Sequence, residues 1–226
     1  MFLFDVHTHT AEVSPCGVLT AEETVANYVS LGYHGIVVTD HFNSWVLSRL
    51  PGSTWAEKIE SYTTGYRRAL AAGQKAGLTV LFGMEMKAAD YAYNEYLVYG
   101  ISPDDLAAQE LLYDRPLSEI TAVVHACGGL IFQAHPFRNG MQLSPAEDLD
   151  GIEAYNGNPR HNSSNDVAIQ TAKQRGCLMV SGSDSHQVED AGHGGLVLFE
   201  RPETSEDLVR ILRSNHYALI ANPEKM

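Results

Sequence analysis

Phe2-Leu3-Phe4-Asp5-Val6, then Thr20-Ala21-Glu22-Glu23 opening a stretch that stops at Gly32, then Gly35-Ile36-Val37-Val38-Thr39 together read as one strand–helix–strand unit. Thr20 is an N-cap residue and Glu23, three positions on, can reach back to its backbone, which is a capping box. The flanking runs are short, apolar and β-branched, as expected of strands covered on both faces. Two strands joined through a helix lie parallel, so this unit already argues for an α/β fold.

The same alternation continues outward from it. A helical stretch over about 55–76 ends at Gly77, followed by strands at 78–82 and 96–99. A helix over 117–127 stops at Gly128-Gly129, and strands follow at 130–132 and 151–155. Residues 165–175 form a helix ending at Gly176, 178–180 a strand, 206–213 a last helix, and 217–220 an apolar run after it. With no composition break, one closed or nearly closed barrel over residues 1–226 is expected. A doubly wound open sheet is the alternative, but no glycine-rich phosphate loop follows the first strand. The longest irregular stretches, 42–54 and 136–150, both follow strands, where substrate contacts gather.

Composition narrows the function. Fifteen Lys+Arg against 28 Asp+Glu leave a net charge of −13 over 226 residues, which disfavours binding to long nucleic acid. Three cysteines without a C-x-x-C pair imply neither a disulfide framework nor a zinc ribbon and fit a reducing cytosol. The start lacks a basic region before its apolar run, so no signal peptide is expected, and no run is long enough for a membrane span. A cytoplasmic protein that does not engage membranes is the expectation.

Ten histidines remain to be explained. His7-Thr8-His9 closes the first strand and Thr39-Asp40-His41 the second. Gly83-Met84-Glu85 follows the third, Ala134-His135-Pro136 the fifth and Ser183-Asp184-Ser185-His186 the seventh. In a barrel the C-terminal ends of the strands form one rim, so these clusters meet. Asp5 and Asp40 alone would suit turn caps. Imidazoles with carboxylates bind Zn, Mn or Fe, and a glutamate can bridge two ions. Paired ions stabilise the attacking and leaving oxygens of phosphoryl transfer and supply hydroxide near neutral pH.

In order and content these five motifs resemble the PHP (polymerase and histidinol phosphatase) family, over residues 5 to about 195. The resemblance implies a distorted (β/α)7 TIM-like barrel with two to three divalent ions and metal-dependent phosphoesterase activity on a small phosphorylated substrate. It implies His7, His9, Glu85 and Asp184 as ligands of a first metal, and Glu85 with His135 for a second. His41 and His186 would hold a third. A hydroxide bridging the first two ions would then attack phosphorus in line.

Two positions depart from the family pattern. Where members carry a His or Asp some six residues after H-x-H, this chain offers Cys16 or Glu12, and Cys16 is either a ligand or a small structural thiol. Where they carry a His near the fourth strand, this chain has Asn94-Glu95, and Glu95 is the available substitute. Beyond the ligands, Arg138 is placed to meet a phosphate, with Lys87, Arg160 and His161 as weaker candidates. His193, flanked by Gly192 and Gly194, is a candidate general acid. No role is assigned to His34, His125 or His216. Tyr91, Tyr93, Tyr96 and Tyr99 read as core and wall. An amidohydrolase-like zinc hydrolase and a non-catalytic metal-binding PHP module are the competing readings.

Overall fold

The computed structural model describes residues 1–221; residues 222–226, the end of the expected single domain, lie outside the described residues. The elements are β1 (Phe2–Thr8), α1 (Ala21–Ser30), β2 (Gly35–Val38), β3 (His41–Phe42), α2 (Ser44–Arg49), α3 (Trp55–Tyr62), α4 (Thr64–Ala76), β4 (Thr79–Ala88) and β5 (Tyr91–Tyr99). They continue with α5 (Pro103–Ala107), α6 (Leu117–Ala126), β6 (Leu130–Gln133), β7 (Gly151–Asn156), α7 (Asn165–Arg175), β8 (Leu178–Gly182), β9 (Gly195–Leu198), α8 (Ser205–Ser214) and β10 (Tyr217–Ile220).

Among the described residues the strands form one sheet, ordered β10-β9-β1-β2-β4-β5-β6-β7-β8, with β3 paired to β4. From β1 to β8 the sheet curls until its ends meet. Thr8 bridges Ser185 in parallel, His9 N donates to Ser185 O at 3.0 Å and Ser185 N to His7 O at 3.3 Å. The outcome is the nearly closed α/β TIM-like barrel expected from the sequence.

Its distortion has two sources. β5 runs antiparallel to both β4 and β6, because Ala89 and Asp90 alone separate it from β4 and so short a link makes a hairpin, not a crossover. β9 pairs antiparallel with the first half of β1, and β10 antiparallel with β9. The sequence reading finds 217–220 but misses 195–198, whose glycine-rich approach reads as loop. β4 also outruns its expected end. β2 pairs with it only as far as Phe82, and β3 and β5 then supply partners up to Ala88, which puts Glu85 within a strand.

The capping box at Thr20 and Glu23 is present. The single helix expected over 55–76 is instead two, α3 and α4, separated at Thr63. Thr63 and Thr64 turn their hydroxyls back to Glu60 O, at 3.0 and 3.4 Å, which competes with the helical ladder. The break also lets Gly65 press against the loop after β1. A Cβ there would lie 2.1 Å from Thr10 Oγ1 and 2.9 Å from Asp40 Oδ2. Thr10 cannot swing aside, because its hydroxyl is held by Asp40 at 2.7 Å. Gly65→Ala is therefore expected to cost about 1–3 kcal/mol, read as a lower urea midpoint at unchanged slope. A wild-type midpoint would show that the contact relaxes freely.

Phe4, Val6, Val37, Leu81, Leu97, Tyr99, Phe132 and Val180 fill the barrel. This apolar plug leaves the C-terminal rim to polar side chains.

Candidate metal centre

One extra residue on β1 between Asp5 and Thr8 shifts its register with β2. Phe4 and Val6 already face the barrel interior, and the bulge brings His7 round to meet Glu153 inside. On β4, Glu85 shares the inner face of Leu81, while Phe82, Met84 and Met86 pack outward. His135 and Asp184 lie just beyond β6 and β8 with φ of 29° and 51°. Left-handed backbone is uncommon for such residues, costs about 1–3 kcal/mol, and persists where the surroundings enforce it.

Glu85 is the hub of what results. Its Oε1 lies 2.9 Å from His135 Nε2 and 3.4 Å from His7 Nε2. Its Oε2 lies 2.8 Å from His41 Nδ1 and 3.4 Å from His9 Nε2. Asp184 Oδ1 stands 3.5 Å from His7 Nε2, 3.4 Å from His9 Nε2 and 3.4 Å from His186 Nδ1. Glu95 reaches the same cluster, 3.8 Å from His41 Nδ1 and 3.7 Å from His135 Nε2.

Although these groups crowd together, His7 Nε2, His9 Nε2, His41 Nδ1, Glu85 Oε2 and His135 Nδ1 are buried without a hydrogen bond. Each such atom costs roughly 1–3 kcal/mol if left unpaired. The separations of His7 and His9 from Glu85 and Asp184 match donors sharing a tetrahedral ion, about 3.4 Å apart for bonds of about 2.1 Å. Four trios have ligand atoms within 4.8 Å of one another: His7/His9/Glu85, His7/His135/Asp184, His9/His41/His186 and His41/Glu85/Glu95. The donor set fits divalent cations.

The far sides of the rings are tied down. His7 Nδ1 meets Glu153 Oε1 at 2.8 Å. His9 Nδ1 meets Ser14 Oγ at 3.2 Å, and that hydroxyl donates to Asp40 at 2.7 Å. Such partners fix ring orientation and leave Nε2 facing the cluster. Burial pulls His9 well below the usual imidazole value, and His186 and His41 add to the effect. Burial pushes Glu85 and Asp184 upward, but His7 above all, with His41 beside Glu85 and His9 and Arg138 beside Asp184, holds both well below ordinary carboxylates.

A family model for the PHP domain matches residues 5–222. The chain belongs to the PHP domain family. Solved structures share its fold. One is a two-domain protein from Bacteroides vulgatus that contains a predicted PHP-like metal-dependent phosphoesterase. At 16% identity and a TM-score of 0.72, the match covers 96% of this chain and 64% of that one, so this PHP chain spans less than two thirds of it. Another is a candidate metal-dependent phosphoesterase from Bifidobacterium adolescentis, at 20% identity and TM-score 0.57, covering 93% of this chain and 95% of that one. A third is an amidohydrolase from Chromobacterium violaceum with bound sulfate, at 17% identity and TM-score 0.60, covering 98% and 99%. No curated protein sequence matches significantly.

In this PHP domain the remaining sequence candidates fall in different places. Cys16 stands exposed at the mouth. The neighbouring imidazoles of His186 and His41 bring its thiol down to about 6. Glu12 turns away, accepting from Ala21 N and pairing with Arg68 at 3.2 Å. Arg138 Nη2 donates to Asp184 Oδ2 at 2.8 Å and to Asn156 Oδ1 at 2.9 Å, so it braces a ligand carboxylate. Arg160 is bound to Asp190. His193 and His161 line a neighbouring cavity of about 340 Å³ beyond Asn156, outside the trios. The loop carrying His193 is pinned, with Gly194 N donating to Ser183 Oγ and Gly194 O accepting from Tyr33. His34 accepts from Leu3 N, His125 pairs with Asp150, and the His216 ring lies against Phe199. Tyr96 and Tyr99 are core, whereas Tyr93 is exposed.

Sequence reading missed Glu153. Fully enclosed on β7, it accepts from His135 N at 2.9 Å and Asn156 Nδ2 at 2.9 Å besides meeting His7. The available signal was a carboxylate between Ile152 and Ala154 in an otherwise apolar strand. No helix among the described residues is long and apolar enough to cross a membrane.

Proposed function

We propose that this PHP domain is a metal-dependent phosphoesterase acting on a small phosphomonoester or the terminal phosphate of a nucleotide. The observation that carries the reading is the set of buried imidazole nitrogens of His7, His9 and His41 that surround Glu85 without a hydrogen bond. Two to three ions of Zn, Mn or Fe would be held: one by His7, His9, Glu85 and Asp184, one by Glu85 and His135 with Glu95, one by His41 and His186 with Cys16 at its edge. Such ions, when bound, offset phosphoryl charge and provide hydroxide near neutral pH.

The chain's own residues do the rest. Glu153 and the Ser14–Asp40 pair hold His7 and His9 in one orientation. Arg138, fixed against Asp184 with its Nε buried and unpaired, offers an N–H donor to an anionic oxygen. His193 lines the cavity beyond Asn156, which shares no lining residue with the cavity beside His41 and Glu95. A carboxylate rather than a lysine at the bridging position favours phosphoester over amide hydrolysis. The negative charge of the chain favours a small substrate over long nucleic acid.

The test is metal content per chain by mass spectrometry with phosphate release from a panel of esters. The expected result is two to three ions and hydrolysis that is abolished by a chelator and restored by added metal. At most one ion, or cleavage of amides without phosphate release, would overturn the reading.

A further inference from the structure

A second cavity, of about 440 Å³, opens directly beside the metal centre, with His41 and Glu95 at its base. That volume lies within the range of small-ligand pockets. One wall comes from Asn43 to Val46. Asn43 caps α2 by accepting from Val46 N at 3.0 Å, which anchors this wall to the end of β3. Val46 and Leu47 turn into the core, while Trp45 stands outside it, 52% exposed. An indole half in water at the edge of this cavity offers a flat, amphipathic contact surface.

The indole is also held. The Arg49 guanidinium carbon lies 3.9 Å from its ring centroid, and Arg49 Nη1 donates to Trp45 O at 3.1 Å. Arg49 covers one face of the ring, and the indole as a whole stays half exposed. Lys87, two residues beyond Glu85 on β4, lines the same cavity. Its Nζ spends one hydrogen on Ala92 O at 3.2 Å, and two of its three donors remain. Lys87 brings a positive charge to a cavity that also holds Glu95, in a chain of net charge −13.

We propose that this cavity is the leaving-group subsite, and that it selects phosphate esters of a flat aromatic or heteroaromatic alcohol bearing a second anionic group. The ring stacks on Trp45, the second anion meets Lys87, and the phosphoryl group lies toward His41 and Glu95. The assignment rests on the phosphoesterase reading and names the substrate class for it. Aliphatic phosphates would use the metal centre alone.

The test is calorimetric binding of methylphosphonate, phenylphosphonate and 4-carboxyphenylphosphonate to the manganese-loaded protein, its Trp45→Ala variant and its Lys87→Met variant. Phosphate release from 4-nitrophenyl phosphate is measured in parallel. Wild type is expected to bind phenylphosphonate about tenfold more tightly than methylphosphonate, a preference lost in Trp45→Ala. The added carboxylate is expected to gain about threefold more, a gain lost in Lys87→Met. Unchanged metal content in each variant excludes a disturbed centre. Equal affinity for phenyl- and methylphosphonate in wild type, or an aromatic preference that survives Trp45→Ala, overturns the subsite even if esters are cleaved. Aromatic preference through Trp45 without phosphate release leaves an aryl-phosphonate binding site but removes the phosphoesterase reading, and with it the leaving-group role.

Discussion

Replacing Glu85 with glutamine is expected to remove at least one divalent ion per chain and to slow phosphoester hydrolysis by about 10³-fold or more, corresponding to several kcal/mol of lost charge stabilisation. The two oxygens of Glu85 divide the cluster. Oε1 serves His7 and His135, and Oε2 serves His9 and His41. Glutamine keeps the shape but loses the charge and turns an N–H pair toward one of those imidazole sets. Each ion that would share the side chain then loses one of its two carboxylates, keeping only Asp184 at the first position and Glu95 at the second. Because the amide is isosteric, the metal-free variant is expected to melt within a few degrees of metal-free wild type, separating ligand loss from misfolding. A variant that retains every ion and more than a tenth of the rate would remove Glu85 from the centre.

Glu153→Ala is the second large effect. No ion need touch this carboxylate for it to matter. It accepts from His135 N and Asn156 Nδ2 and holds His7 Nδ1, all inside the barrel. Asn156 keeps a second acceptor in Asp184 Oδ2 at 3.2 Å, whereas the backbone of His135 has none in the rim to replace it. Removing one partner of such a buried charged network costs about 3–5 kcal/mol. His7 also loses the contact that fixes its ring, and metal affinity is expected to fall 10- to 100-fold, the usual size for a lost partner behind a ligand. Thermal melting and a metal titration measure the two effects. Glu153→Gln, which keeps an acceptor, is expected to recover part of both. Full metal affinity in the alanine variant would leave Glu153 as packing alone.

The contrast between these two glutamates shows how far a linear reading reaches. Glu85 stands in a motif, Gly83-Met84-Glu85, beside an apolar run, and its position relative to the other clusters was legible residue by residue. Glu153 stands in a run whose pattern says only strand. That it faces inward, and meets a histidine 146 positions earlier, depends on barrel closure and on the β1 bulge. Cys16 and Glu12 make the same point. Both are metal-capable by chemistry, and the turn after β1 sends Glu12 to cap α1 while leaving Cys16 at the mouth.

The antiparallel β5 was legible only in part. Its residues read as a strand, and the two-residue link to β4 was hidden because β4 continues six residues beyond its apolar run. That extension is made by pairing with β3 and β5, which no local propensity records.

What the sequence determined by itself was therefore local: helix starts from capping boxes, helix ends from glycines, strands from short apolar runs, and the residue types at each strand end. These signals act within a few positions, where backbone sterics and near-neighbour hydrogen bonds decide the outcome. Tertiary structure alone decided which oxygen of Glu85 faces which imidazole, which rings gain a partner behind them, and that Trp45 and Lys87 line one cavity. Each of those depends on strands distant in sequence closing into a barrel, where a single extra residue on β1 turns His7 toward the cluster.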